Sequence, residues 1–251
     1  MTGAGTGARA LAGLARSLLI YRARPWKARA LARLYRGILR PGDLAFDIGA
    51  HVGNRTRAMV AAGARVVALE PQPLLRAFLE RDLPPGVTLV GAAAGARTGT
   101  ARLAIPRLHP TVASLAPGFA ERMAATKGFG HVRWDSAETV EVTTLDALIA
   151  AHGRPRFVKI DVEGFEDAVL AGLRAQVDWI AFETLPALPG VARASLARIG
   201  ELGDYRFNFI AGEAPGFVLE DWTDAAGIST LISRAGRSGD VYARRAEEDD
   251  T

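Results

Sequence analysis

The chain has 251 residues, 49% of them hydrophobic, enough for one sizeable α/β core. It contains no cysteine, which excludes disulfides, a thiol nucleophile and cysteine-ligated metals, and no apolar run approaches the ~20 residues needed to span a bilayer. The formal net charge of +4 is unevenly spread: residues 1–42 carry nine Arg or Lys and no acid, whereas Glu247 to Asp250 form an acidic tail (246–251) expected to be disordered.

Residues 1–8 are rich in Gly, Thr and Ala and are expected to be mobile. Leu11, Leu14, Leu18 and Leu19 then recur at helical spacing, Pro25 breaks the run, and Leu31, Leu34, Tyr35 and Ile38 follow i, i+3, i+4, i+7. Residues 1–40 therefore read as a helical extension with basic residues between its apolar positions. A helical cap on the core, a membrane-surface or nucleic-acid patch and a targeting presequence all fit this pattern, and the cap is the simplest reading. Arg40-Pro41-Gly42-Asp43 is a turn that launches the first strand.

The apolar run Leu44 to Ile48 carries an acid, Asp47, and is followed by Gly49-Ala50-His51 and then Gly53-Asn54 at the start of a helical pattern. This is strand, tight turn and helix N-terminus, a place where free N–H groups and glycines let a ligand approach the backbone. A second apolar run, Val66 to Leu69, ends at Glu70-Pro71, 21 positions after Gly49. An acid at that distance is placed to accept hydrogen bonds from ribose hydroxyls, so a nucleoside-bearing cofactor is expected over the first two strands. The G-x-x-x-G spacing lacks the middle glycine of dinucleotide binders, and Asp47 would repel a diphosphate. A cationic ligand such as a sulfonium suits it better.

A helix is expected over Leu74 to Leu83, a third strand over Val87 to Val90, and a hairpin turn at Gly95 to Thr100 with a return strand from Ala101 to Ile105. Residues 106–139 have no clear period and read as a lid insertion, with a pair of short helices, such as Pro117 to Ala125, as the plainer alternative. Val140 to Thr143 alternates as a strand, Thr144 caps a helix from Leu145 to Ala151, and Phe157 to Ile160 is a buried strand ending at Asp161-Val162-Glu163-Gly164. A helix bearing Phe165, Val169, Leu170 and Leu173, a strand Trp179 to Phe182 ending at Glu183, and a helix marked by Leu196, Ile199 and Leu202 follow, with Tyr205 to Ile210 and Asp240 to Arg244 as the last two strands. Alternating strands and helices imply a mostly parallel sheet covered on both faces, in a single domain over 41–245.

Ligands of such a sheet bind outside the carboxyl ends of the strands. Asp47, Glu70, Asp161 and Glu183 sit at those ends, and Glu163 lies in the loop after Asp161. Buried carboxylates are costly without cations or donors, so several are expected to face ligand. Glu163 and Glu166 read equally well as acids in a helix first turn. Lys159 alternates with Asp161 and points to the same side of the strand. His51, His109, His131 and His152 are scattered, and no metal ligand is assigned, although a carboxylate group of this kind also suits Mg²⁺.

These pieces resemble the FkbM family of S-adenosylmethionine-dependent methyltransferases: Pro41-Gly42-Asp43, Phe46-Asp47-Ile48-Gly49-Ala50, Gly53-Asn54, Leu69-Glu70-Pro71, Thr144-Leu145-Asp146 and Val158 to Glu166, with a weaker echo at Gly239 to Ala243. The resemblance spans roughly residues 40 to 185. It implies the class I methyltransferase fold, a Rossmann-like α/β fold with a seven-stranded, mostly parallel sheet whose last strand is antiparallel. It implies S-adenosyl-L-methionine as cofactor, held by Asp47, Gly49, Ala50, His51, Gly53, Asn54, Glu70, Pro71, Ala93 and Asp161, and methylation of a hydroxyl on a small molecule or sugar. Asp161, Glu163 and Glu183 are the candidate bases, with Lys159 beside them; His51 is a weaker one. Methylation of nucleic acid or another acceptor, a nicotinamide-dependent oxidoreductase and a non-catalytic binding protein are the rival readings. A nucleic-acid partner is not expected, since no recognition module is evident, and the expected location is cytoplasmic. Arg102, Arg107, Arg122, Lys127 and Arg133 read either as a basic lid over an anionic or sugar-linked acceptor or, equally well, as solvated charges on lid helices.

Overall fold

The structure, a computed structural model, describes residues 3–126, 128–212 and 214–246. Two helices come first, α1 (Gly3–Arg22) and α2 (Pro25–Arg36). Residues 3–8, expected to be mobile, belong to α1. Pro25 takes the first turn of α2, where its missing N–H costs nothing. The acidic residues Glu247 to Asp250 and Lys127 of the expected lid lie outside the described residues.

The core is a seven-stranded sheet of β1 (Leu44–Ile48), β2 (Arg65–Leu69), β3 (Val87–Val90), β7 (Phe157–Ile160), β8 (Trp179–Thr184), β9 (Tyr205–Ala211) and β10 (Gly239–Arg245), in the order β3-β2-β1-β7-β8-β10-β9. All neighbours pair in parallel except β10, antiparallel to both β8 and β9. β1 reads as a continuous apolar run because both faces are covered: Phe46 and Ile48 join one buried cluster, Ala45 the other. The helices between the strands include α3 (Asn54–Ala61), α4 (Pro73–Asp82) and, behind a Thr144 cap, α6 (Leu145–His152). α8 (Pro189–Leu202) carries the expected Leu196, Ile199 and Leu202 into the core. The helix after Asp161 is shorter than its apolar pattern suggests, α7 (Glu166–Leu170), and α9 (Ala225–Ala235) was not legible as a periodic segment.

The middle of the chain departs from expectation. The strand after Gly95 does not return along β3. A short β4 (Ala93–Ala94), β5 (Gly99–Ile105) and β6 (Ser136–Thr143) make a separate sheet, β4-β6-β5, with β5 and β6 antiparallel. β6 begins at Ser136, not Val140, because pairing with β5 extends it through polar residues that lack a core-facing alternation. The segment between these strands holds a 3₁₀ turn (Pro110–Val112) and α5 (Phe119–Ala124), so the short-helix reading applies and the segment lies over the edge of the main sheet.

The β1–α3 turn is fixed by contact with β7. Gly49 has φ +88°, and a Cβ there would lie 2.0 Å from the carbonyl oxygen of Asp161. Gly49→Ala is therefore expected to cost about 1–3 kcal/mol from backbone strain alone. Urea unfolding at a midpoint within error of the parent would show that the turn tolerates a side chain.

Candidate functional site

A buried network of charges lies under the carboxyl edge of the sheet. Lys159 is fully buried; its Nζ donates to the Ile160 carbonyl at 2.9 Å and pairs with Asp161 Oδ2 at 3.2 Å and Asp240 Oδ1 at 3.1 Å. Arg55 pairs with Asp240 Oδ2 at 2.9 Å and Asp161 Oδ2 at 3.4 Å. Burial pulls the Lys159 ammonium toward neutrality, but Asp161 and Asp240 outweigh it and its pKa ends above the ordinary lysine value. Burial pushes Asp240 the other way, and Arg55 and Lys159 together hold it below the usual carboxylate range. Asp240 reaches this edge because β10 runs antiparallel: its first residues sit where the parallel strands end, with Asp240 opposite Glu183.

Above this network, carboxylate oxygens of Asp161, Glu163 and Glu183 lie within 4.8 Å of one another. Glu183 Oε2 is buried with no hydrogen-bond partner. Burial first, and then the neighbouring acids, push the Glu163 and Glu183 carboxyls well above the ordinary glutamate value. Glu163 has φ +54°, and its carbonyl accepts from Ser114 Oγ at 2.7 Å, which ties the acidic loop to the inserted segment. The spacing of these three acids has the reach to hold a divalent cation, which the sequence reading did not assign. Glu166 has a different place: its Oε1 accepts from the backbone N–H of Gly164 at 3.1 Å and Val162 at 3.3 Å, so it stitches the loop from within.

Beside the acids a narrow cavity of about 60 Å³ follows the ends of β1 and β2. Glu70 forms one wall, and Pro71, Ala93, Leu103, Leu115 and Phe165 make a flat apolar slot. The Glu70 carboxylate accepts from the backbone N–H of His51 at 2.9 Å and of Gln72 at 2.8 Å. Burial raises its pKa to about 8 despite those two donors. His51 has φ +52°, which turns its N–H back toward Glu70; its ring shares a 3.1 Å hydrogen bond with Ser17 Oγ and meets Tyr21 edge-on at 5.3 Å. Burial lowers the His51 pKa to about 4, so the ring is neutral at pH 7.

A second cavity, about 180 Å³, adjoins the first: Gly49, His51, Thr111 and Asp161 line both. Of the residues expected at a ligand, Gly49, Ala50, His51, Asn54, Glu70, Pro71, Ala93, Asp161, Glu163 and Glu183 line these spaces. Asp47, Gly53 and Lys159 do not. Asp47 is wholly buried beside Lys159 in the strand register, accepts from the Thr56 hydroxyl and keeps one oxygen unpartnered; burial raises its pKa. Gly53 lies against Leu79 and Leu83 of the α4 region, so its role is packing. Lys159 acts from below, through Asp161.

Sequence reasoning did not place Tyr21, Arg55, Thr111 or Asp240 at the site. Asp240 lies within the Gly239 to Ala243 echo, which was the available signal. The basic lid also falls away. Arg107 bonds to Asp135 and Ser136, Arg133 to the carbonyls of Gly130 and Val132, and Arg102 and Arg122 are exposed on the outer side. None of these four lines either cavity. The segment covers the site instead with Thr111, Ala113 and Leu115.

This strand order, with one antiparallel strand and a ligand cleft at the carboxyl edge, is the class I methyltransferase fold. The model of the Methyltransferase FkbM domain matches residues 47–201, more than half of the chain, and the protein belongs to that family. No curated protein matches it. Among solved structures it is similar to precorrin-6Y C5,15-methyltransferase from Geobacter metallireducens (16% identity, TM-score 0.41, covering 86% of this chain and 87% of that one). It is also similar to magnesium protoporphyrin IX methyltransferase from Synechocystis, with bound SAM (12%, TM-score 0.43, 89% and 80%), and to an O-methyltransferase from Bacillus cereus in complex with SAH (13%, TM-score 0.42, 98% and 92%). No described helix is long and apolar enough to cross a membrane.

Lys159→Met leaves Asp161 and Asp240 with Arg55 alone and is expected to cost about 3–5 kcal/mol, the usual loss when one partner of a buried pair is removed. Denaturant unfolding measures it; a loss below 1 kcal/mol would mean that Lys159 is not the counter-charge of this edge.

Proposed function

We propose that the protein transfers a methyl group from S-adenosylmethionine to a hydroxyl of a small molecule or sugar, with Asp161, Glu163 and Glu183 as the acids that receive the acceptor. The observation that carries this reading is the continuity of two cavities. A slot walled on one side by Glu70 runs into a chamber lined by Asp161, Glu163, Glu183 and Asp240, through residues common to both. The lining of the slot suits an adenosine: apolar side chains for the base, and a carboxylate whose two backbone donors leave lone pairs for ribose hydroxyls.

When bound, S-adenosylmethionine supplies a methyl group already activated by a positive sulfonium. The protein's work is then alignment, exclusion of water and acceptance of a proton. Gly49 and Ala50 bring the β1–α3 turn against the ligand space, with both N–H groups already used by the Leu69 carbonyl, at 3.1 Å and 2.8 Å. Orientation of two reactants in such a cleft supplies as much as ~7–11 kcal/mol of barrier reduction. Lys159 and Arg55 pair with Asp161 and Asp240, while burial and then the neighbouring acids raise the proton affinity of Glu163 and Glu183, so these two are suited to take the hydroxyl proton. His51, neutral and turned toward Ser17, is a wall of the site rather than its base.

Isothermal titration with S-adenosylhomocysteine tests the cofactor half. Ribose hydroxyls donate to the ionised form of Glu70. With its pKa raised to about 8, the free protein holds Glu70 mostly protonated at pH 7, so binding releases a proton. Affinity is expected to rise with pH from 6 to 8, by at most ~10-fold per unit, and to level off above. Glu70→Gln is expected to bind about 10–100-fold more weakly, matching loss of a charge-assisted hydrogen bond of ~1.5–3 kcal/mol, and without that slope. A parent affinity independent of pH, or an unaltered one in Glu70→Gln, removes Glu70 from the cofactor. For the acceptor half, Glu163→Gln is expected to lower turnover by ~10²-fold or more at unchanged S-adenosylhomocysteine affinity. Turnover within twofold of the parent would take Glu163 out of the chemistry.

A further inference from the structure

We infer that the methyl acceptor is an uncharged amphiphile, its apolar body seated between the N-terminal helices and the last two strands and its hydroxyl presented to Asp161, Glu163 and Glu183. The inference rests on the methyltransferase reading above and names the acceptor class for that site.

A third cavity, about 360 Å³, continues from the acidic one: Tyr21, Asn54, Arg55, Gly212 and Asp240 line both. It is the largest of the three and within the usual size of small-molecule sites. Its walls are mostly apolar, with Leu31 and Leu34 of α2 on one side and Ile210, Pro215 and Tyr242 on the other. Ile20 and Trp26, at the junction of α1 and α2, line it too while remaining 40% and 63% exposed, so the chamber opens there. An open apolar chamber of this size favours an occupant that removes its walls from water.

The inner end decides the head group. Arg55 and Lys159 are both engaged by Asp161 and Asp240, and among the described residues no ion pair reaches Glu163 or Glu183. The space between cofactor slot and apolar chamber thus offers acids whose nearest cations are already engaged: a phosphate or carboxylate finds neither Arg55 nor Lys159 free to pair with it, whereas a hydroxyl can donate to a carboxyl oxygen. Arg102, Arg107, Arg122 and Arg133, which suggested an anionic acceptor, line none of these three cavities. Transfer then forms an O–CH₃ bond and breaks the S–CH₃ bond. The sulfur keeps the electron pair and becomes a neutral thioether, and the hydroxyl proton passes to one of the three carboxylates.

The test uses the full chain with S-adenosylhomocysteine bound, titrated at pH 7 with 1-hexanol, 1-heptanol and 1-octanol, and with octanoate as the charged counterpart of equal length. Affinity is expected to rise about fourfold per methylene, the factor for burying one CH₂, and octanoate to bind at least tenfold more weakly than 1-octanol. Ala28→Trp, at an exposed position on the chamber wall, and Leu31→Asn are each expected to weaken 1-octanol at least tenfold without changing S-adenosylhomocysteine affinity. A flat alkanol series, octanoate binding as tightly as 1-octanol, or alkanol binding indifferent to both variants overturns the assignment. Failure of S-adenosylhomocysteine to bind overturns the methyltransferase reading and the acceptor role with it. Tight S-adenosylhomocysteine binding beside a flat alkanol series overturns the amphiphile alone.

Discussion

The arrangement depends on two cations under the carboxyl edge of a sheet, one fully buried and one partly so. Lys159 and Arg55 bridge Asp161 and Asp240, which come from strands that are neither neighbours in sequence nor adjacent in the sheet. Charges at this depth are tolerated only when paired, because desolvation costs each several kcal/mol. The pairing pins the ends of β7 and β10 and the start of α3 to one another. It also shapes the chemical character of the cavity beside it, where Glu163 and Glu183 lie with Asp161, their carboxylate oxygens within 4.8 Å of one another.

The N-terminal helices are part of this site and not merely a cap. Ser17 and Tyr21 of α1 hold the ring of His51, and Arg22 reaches the carbonyl of Val52 and the side chain of Asp82. His51 in turn uses its left-handed backbone to give its N–H to Glu70. A chain of contacts therefore runs from α1 through His51 to Glu70. The basic residues of α1 and α2 remain mostly on the outer surface, and the wall of the apolar chamber comes from the opposite side of the same helices.

The inserted 106–135 segment shows why composition is a poor guide to lid function. Its arginines are the residues a sequence reader notices, and they are used to brace the insertion against itself, as Arg107 does with Asp135. The part that closes the slot is small and unobtrusive: Thr111, Ala113 and Leu115 beside the 3₁₀ turn, with Ser114 holding the acidic loop. Apolar and hydroxyl side chains can cover a buried slot at little desolvation cost, whereas a guanidinium needs an acid or water beside it.

The sequence by itself determined the parallel strands, the glycine turn before α3, the Glu70 wall and the acids after β7 and β8. These are encoded by local patterns: apolar runs buried on both faces, glycines where φ is positive, and carboxylates at strand ends. Tertiary structure alone decided which of those acids line the cavities. Asp47 and Asp161 are both strand-end acids, yet Asp47 is buried beside Lys159 with Thr56 while Asp161 opens to the cleft, a difference set by what packs above each strand. It also decided that Asp240 belongs to the site, because only the antiparallel entry of β10 brings the first residues of a strand to the edge where the others end. The separate sheet of β4, β5 and β6 and the apolar chamber under α2 were invisible for the same physical reason. Both are made between segments far apart in the chain, by pairing and packing that leave no period in either segment alone.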